Sequence, residues 1–185
     1  MTLNEMKKKS LALIEELNPS SALLTEDEDI EKKLNYVTNQ VMYELARIKK
    51  IPKYAELDVK AGDLITFDHL EEATGYEIYM LGSVCGVKYI SKAEGTVLKI
   101  LEDGTAEIEC YVYPERIAEK TKGYEFEIPS DLLEVMPYGI AADLLKNDAS
   151  AEYGKVYANR YESMKQAIDQ RYQTTMITIE GGINI

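Results

Sequence analysis

The sequence is poor in the residues that most often carry chemistry. It has one histidine, two cysteines and no tryptophan among 185 residues. A single histidine, His69, which is expected in a loop, excludes a histidine cluster for metal binding or proton relay. Cys85 and Cys110 are too few and too far apart for a disulfide framework, and neither lies in a CxxC or Cys/His cluster, so no zinc site is predicted. Both are expected to be small buried residues, with a bridge between neighbouring strands as the alternative.

Motifs of nucleophilic and phosphate-binding sites are also missing. The chain has no G-x-S-x-G, P-loop or G-x-G-x-x-G pattern. Glu107 and Glu109 could suggest a glycosidase pair. Residues two apart on a strand, however, are ordinary neighbours on a solvated face. We therefore predict a non-enzymatic protein without catalytic, cofactor-binding or metal-binding residues.

Long apolar runs are absent as well. No stretch approaches the roughly 20 apolar residues of a membrane span. The first ten residues, MTLNEMKKKS, lead directly into an amphipathic pattern without the apolar block of a signal peptide. We expect no contact with a membrane and a location in the cytoplasm.

Positive charge is in deficit, and the deficit is concentrated in the middle of the chain. The formal net charge is -12, and residues 61–128 hold 6 Lys and Arg against 14 Asp and Glu. Such a surface repels phosphate backbones instead of releasing their counterions. Tight nucleic-acid binding is therefore not expected, although DNA could pass the protein without being held.

The N-terminal part of the chain has helical periodicity. Thr2 and Glu5 form a capping box before a first helix, which is expected to end near NPSS. Thr25 and Glu28 form a second capping box. The helix that follows has apolar residues at spacings of three and four, and the lysines and proline of KKIPK, with Pro52, are expected to close it.

Helical periodicity returns from residue 129 onward. Pro137, in MPYGIAADLLKND, is predicted to begin a helix or a sharp kink, because proline fits a first helical turn. Gly139 and Ala142 leave that helix thin on one side, which allows another backbone to approach closely. A second, long helix is predicted to reach about residue 172.

Between the helical parts the period changes to two, which is typical of strands. The predicted strands are 62–67, 76–81, 84–90, 95–101, 105–113 and 124–128. Asp103 and Gly104 predict a tight hairpin that joins the fourth strand to the fifth. Alternate residues of the fifth strand, from Ala106 to Val112, are expected to face the core.

The last 13 residues, QTTMITIEGGINI, have a strand-like alternation without a local partner. Ile177 and Ile179 alternate with polar residues, and Ile183 follows two glycines. Such a segment either frays or adds to a sheet elsewhere, including a sheet on a neighbouring molecule. We therefore treat residues 173–185 as an extended arm.

These elements predict an α+β fold. Helices at both ends of the chain cannot bury their apolar faces alone, so residues 1–58 and 129–172 are expected to form one helical bundle. Residues 59–128 are expected to form an antiparallel β-rich module inserted into the connection.

One long segment resembles a known group of proteins. It reads YEFEIPSDLLEVMPYGIAADLLKNDASAEYGKVYANRYESMKQAI. Together with the N-terminal helices and the inserted β module, it is similar to the head-to-tail adaptor (connector) proteins of tailed bacteriophages and prophages. The resemblance covers most of the chain.

The resemblance implies a virion structural protein at the head–tail junction, assembled in the cytoplasm of a bacterial host. About twelve copies would form a ring under the portal protein, extend the DNA channel and carry the tail or stopper proteins. DNA would pass through without specific binding. The residues expected at the assembly interface are Gly139, Ala142, Ile177, Ile179 and Ile183.

Three alternatives stay open. Tyr111 and Tyr113 could stack on sugars if the β module binds carbohydrate or another ligand, although the lack of tryptophan weakens this interpretation. A small hydrolase would use Glu107 or Glu109. A tail terminator or head-completion protein would form a different ring of the same virion.

Overall fold

A computed structural model describes residues 1–14, 28–118, 123–146 and 151–175. These residues fall into two compact units. The helical unit is drawn from residues 1–49, 123–125 and 129–175, and the β unit from residues 50–118 and 126–128. The α+β class predicted from the sequence is confirmed.

Four of the five α-helices of the described chain form the helical unit, and the remaining one, α3 (Phe67–Thr74), belongs to the β unit. The four are α1 (Leu3–Leu13), α2 (Glu28–Ile48), α4 (Ser130–Leu145) and α5 (Ala151–Thr175). The predicted capping box of α1 is confirmed: the Thr2 hydroxyl accepts from the Glu5 amide at 3.3 Å, and the Glu5 carboxylate accepts from the Thr2 amide at 2.8 Å. Thr25, half of the second predicted box, lies outside the described residues.

Helix α4 is the centre of this unit and contacts α1, α2 and α5. Most of its residues are buried, as expected for a helix that is apolar on nearly every side. The fully buried large side chains of the unit are Met6, Leu34, Met42, Leu45, Leu132, Val135, Met136 and Ile140. The core therefore joins both ends of the chain.

The prediction that Pro137 begins a helix is wrong. Helix α4 begins at Ser130 and Pro137 lies inside it. Proline lacks the N–H that would bond to the carbonyl of Leu133, and its ring crowds that carbonyl. Burial of the preceding apolar residues, including Leu132 and Met136, favours a helix that continues through the proline.

The β unit consists of two three-stranded antiparallel sheets and the short helix α3. Its strands are β1 (Pro52–Val59), β2 (Leu64–Thr66), β3 (Ile78–Cys85), β4 (Tyr89–Lys92), β5 (Val97–Ile100) and β6 (Gly104–Val112). The strand orders are β1-β6-β3 and β2-β5-β4. The core of the unit contains Leu70, Leu98, Ile100, Ala106, Ile108, Cys110 and Val112.

The predicted hairpin across Asp103–Gly104 is wrong, because β5 and β6 belong to different sheets. Each is the central strand of its own sheet, so the chain crosses from one sheet to the other at this point. The Asp103 carboxylate accepts from the Ala61 amide at 2.7 Å and thus holds the turn between β1 and β2. The predicted inward face of β6, from Ala106 to Val112, is confirmed.

Several predicted boundaries also differ. The prediction that residues 50–58 belong to the bundle is wrong, because 52–59 form strand β1, in which buried Ala55 and Val59 point to the β core. Residues 124–128 form no strand beyond a single bridge between Thr2 and Glu125. The runs 76–81 and 84–90 are redivided into β3, which has register shifts, and β4.

The predicted loop around His69 is helix α3. It begins with a reciprocal cap between Thr66 and His69 and ends at Gly75, whose φ of +76° suits glycine. Leu70 is its only fully buried residue. A helix of two turns with one buried residue has too weak a period to be recognised from sequence.

Candidate assembly surfaces

Gly139 lies in the helical unit where α4 meets α2 and α5. A Cβ atom at this position would lie 2.9 Å from Cε2 of Tyr161 and 3.0 Å from Cγ1 of Val41. These separations are well inside ordinary carbon–carbon contact. Glycine therefore lets three helices of one chain approach closely. A role for Gly139 between copies stays a prediction.

Ala142 lies one turn further along α4 and is half-buried. Its carbonyl oxygen lies 3.6 Å from the position that a Cβ on Gly154 would occupy, and Cβ of Leu145 lies 3.2 Å from that position. Gly154 therefore forms a second close approach, between α4 and α5. This glycine is not among the residues predicted from the sequence. Its place near the start of a predicted helix could have indicated a close contact with another helix.

The other three predicted interface residues, Ile177, Ile179 and Ile183, lie outside the described residues. Their role in assembly stays a prediction based on the alternation of the last residues of the sequence.

A polar network joins α2 to α5 beside Gly139. The Tyr161 hydroxyl donates to one Glu44 oxygen at 3.0 Å, and Lys165 donates to the other at 2.6 Å. Lys165 also donates to Glu162 at 2.6 Å. This network fixes the ring that packs over the glycine.

The protonation states of the network follow from its surroundings. Burial raises the pKa of the Tyr161 hydroxyl, and the negative charge of Glu44 raises it further. Partial burial opposes the charge on Lys165, but hydrogen bonds to Glu162 and Glu44 outweigh it and raise the pKa. Tyr161 therefore stays a neutral donor and Lys165 stays charged.

Two further contacts connect the helices of this unit. Lys49, just after the end of α2, donates to both oxygens of Asp131 in the first turn of α4, at 3.0 and 2.8 Å. Tyr157 of α5 donates to the carbonyl of Leu13 at the end of α1. All four helices are thus cross-linked by side chains as well as by the core.

In the β unit, the two carboxylates weighed for hydrolysis have different surroundings. One Glu109 oxygen accepts from the amide of Ser83 at 3.2 Å and from its hydroxyl at 3.0 Å, where the register of β3 shifts. Glu109 thus stabilises an irregular strand. Glu107 is exposed and lies opposite Glu56 on the neighbouring strand.

The tyrosines weighed for sugar stacking are not both accessible. Tyr113 is only 7% exposed, and its ring lies 4.7 Å from that of Tyr79. Tyr111 is half-buried, with the Lys50 ammonium 4.7 Å from its ring centre. Tyr111 and Tyr113 therefore do not form a flat pair of exposed rings, which weakens the carbohydrate interpretation.

The cysteines differ from each other. Both thiols are free. Cys110 is buried as predicted, and burial raises the pKa of its thiol, as does the charge of Glu109. Cys85 is exposed, which corrects the prediction of two buried thiols. Among the described residues, no group of three His, Cys, Asp or Glu side chains is placed to hold a metal ion.

The two sheets of the β unit are not bonded to each other within the described chain. Helix α3 contacts both β1 and β2. A cavity of about 270 Å³ opens between β3 and β4. We call it the β3–β4 slot, and its lining includes Phe67, Tyr79, Leu81, Val84, Tyr89 and Ser91.

Across the described residues, none of the helices combines the length and the apolar character needed to cross a membrane. The fold defines an α+β protein whose helical unit is assembled from both ends of the chain. No protein-family model matches this chain, and no curated protein matches it either.

Proposed function

We propose that the protein is a structural head-to-tail adaptor of a tailed bacteriophage or prophage. In this role its copies form a ring under the portal protein, extend the DNA channel and carry the tail. The observation that carries the proposal is the resemblance of residues 124–168 to such adaptors, in a stretch that contains α4 and most of α5.

The packing of the helical unit supports this role. Gly139 and Gly154 draw α4 and α5 together, and the Glu44 network ties α5 to α2. A closely packed helical body suits a ring, because each copy must present the same two faces to its neighbours.

The charge of the chain also supports this role. A net charge of -12 disfavours contacts with phosphates, so a genome could move past such a ring without being held. A protein that must bind DNA tightly would need the opposite balance.

The test is the mass of the purified protein, alone and mixed with the portal protein of the same genome, measured by native mass spectrometry. We expect several copies, about twelve, to join one portal ring. A chain that stays free in the presence of the portal contradicts the proposal. Binding to a tail component instead would favour the tail-terminator alternative.

A further inference from the structure

We infer that the β3–β4 slot accepts residues 177–180 of a second copy of this chain as an added strand. The inference deepens the proposed function and rests on it, because it names a contact that would tie neighbouring copies of the ring. It joins two observations, the exposed edge of the β unit and the sequence of the C-terminal arm.

Strand β4 has an open edge. Within the described chain it pairs with β5 on one side and is the last strand of its sheet on the other. All four of its residues are exposed, including Tyr89 and Ile90 at 39% and 49%. An exposed edge with large apolar side chains is a template for another strand.

The two faces of β4 differ in chemistry. Tyr89 and Ser91 line the slot, where the neighbouring side chains from β3 and α3 are mostly apolar or aromatic. Ile90 and Lys92 alternate with them and therefore lie on the outer face. A strand added at this edge needs apolar residues at alternate positions and polar residues between them.

The arm has this pattern. Ile177 and Ile179 would enter the slot beside Tyr89 and Ser91, while Thr178 and Glu180 would face outward. On that outer face Glu180 would meet the positive charge of Lys92, a favourable cross-strand pair. The two glycines that follow allow the chain to turn away after four paired residues.

The absence of tryptophan provides a direct test, because a single introduced tryptophan reports on its own surroundings. The reporter chain carries Tyr89→Trp in the slot and Ile177→Thr with Ile179→Thr in its own arm. The donor is the intact chain, which is silent in tryptophan fluorescence. We expect increasing donor to shift the emission to shorter wavelength and to saturate, because the added strand covers the ring.

Three matched variants make the result specific. A donor with Ile177→Thr and Ile179→Thr should bind at least about tenfold more weakly, because two apolar side chains no longer enter the slot. A donor with Thr178→Ser should act like the intact chain. A reporter at Tyr54, an exposed position on β1, should not respond.

The inference is overturned if the donor causes no shift, or if the Ile177→Thr, Ile179→Thr donor acts like the intact chain. A further control is a Tyr89→Trp chain that keeps its intact arm. If its emission is already shifted at every concentration, each arm fills the slot of its own chain, and the inference is overturned too. Portal binding without slot occupancy would remove this inference and leave the adaptor proposal standing. Slot occupancy without portal binding would leave this inference standing and remove the adaptor proposal.

Discussion

At the scale of single residues, Gly139 is a position where a small change should have a large effect. Replacing it by leucine would force a side chain against Tyr161 and Val41, whose nearest atoms lie 2.9 and 3.0 Å from the first added carbon. Overpacking of this kind costs about 1–3 kcal/mol. We expect Gly139→Leu to lower the free energy of unfolding in urea by that amount.

A suitable control adds a comparable volume to an exposed helical position. Ala167 lies on α5 and is exposed, so Ala167→Leu should change the free energy of unfolding by less than about 0.5 kcal/mol. Equal losses for the two variants would show that Gly139 does not sit in a tight contact.

Asp131 predicts a dependence of stability on pH. Partial burial acts to raise the pKa of its carboxyl, but hydrogen bonds from Lys49 and the charge of that lysine outweigh burial and lower the pKa. A lowered pKa in the folded state means that the ionised carboxylate stabilises the fold above its ordinary pKa, near 3.8. This stabilisation is lost as the pH falls through the folded value.

The test compares Asp131→Asn with the natural chain between about pH 7 and pH 2.5, a range that spans the ordinary titration of a carboxyl group. The side chain of Asp131 is 44% exposed, so solvent screening limits the expected difference to about 0.5 kcal/mol at neutral pH. The difference should shrink toward zero at the acidic end. A difference that grows on acidification would contradict the assigned role of Lys49.

At the scale of elements, the crossing from β5 to β6 gives a prediction of its own. Asp103→Ala removes the acceptor of the Ala61 amide, and an exposed hydrogen bond of this kind contributes about 0.5–1 kcal/mol. Asp103→Asn keeps an acceptor and should lose less than half as much. Thermal unfolding followed by circular dichroism measures both, and equal losses would point to the charge instead of the hydrogen bond.

The elements also show which features a sequence can predict. The cap at Thr2 and the inward face of β6 are predicted correctly, because each depends on residues within a few positions of one another. The hairpin at Asp103 is predicted wrongly, because the strand that pairs with a given strand is determined by contacts between residues far apart in the sequence. Gly104 suits a tight turn, yet β6 pairs with β1 and β3, in a sheet that does not contain β5.

The candidate surfaces follow the same division. The sequence pattern identifies Gly139 and Ala142 as small residues on a helix. It does not identify the residues of α2 and α5 that pack against them, because those contacts join different helices. The β3–β4 slot has no signature of its own, because its lining comes from β3, β4 and α3 together.

At the scale of the whole molecule, the charge predicts behaviour toward DNA. A fluorescent duplex of about 20 base pairs should show no saturable change in anisotropy with the intact chain at about 0.15 M salt, because the net charge of -12 repels phosphate. Lowering the salt should not produce binding. Binding that strengthens as salt is removed would reveal phosphate contacts and contradict a passive channel.

The division of the chain into two units also has a consequence for its synthesis. The β unit is complete once residue 128 has left the ribosome, whereas α1 and α2 wait for α4 and α5. We therefore expect the N-terminal helices to expose apolar faces during translation, while the inserted unit folds first. The expected order of folding is then the reverse of the order in which the two units begin in the chain, and chaperones would bind the nascent protein at α1 and α2.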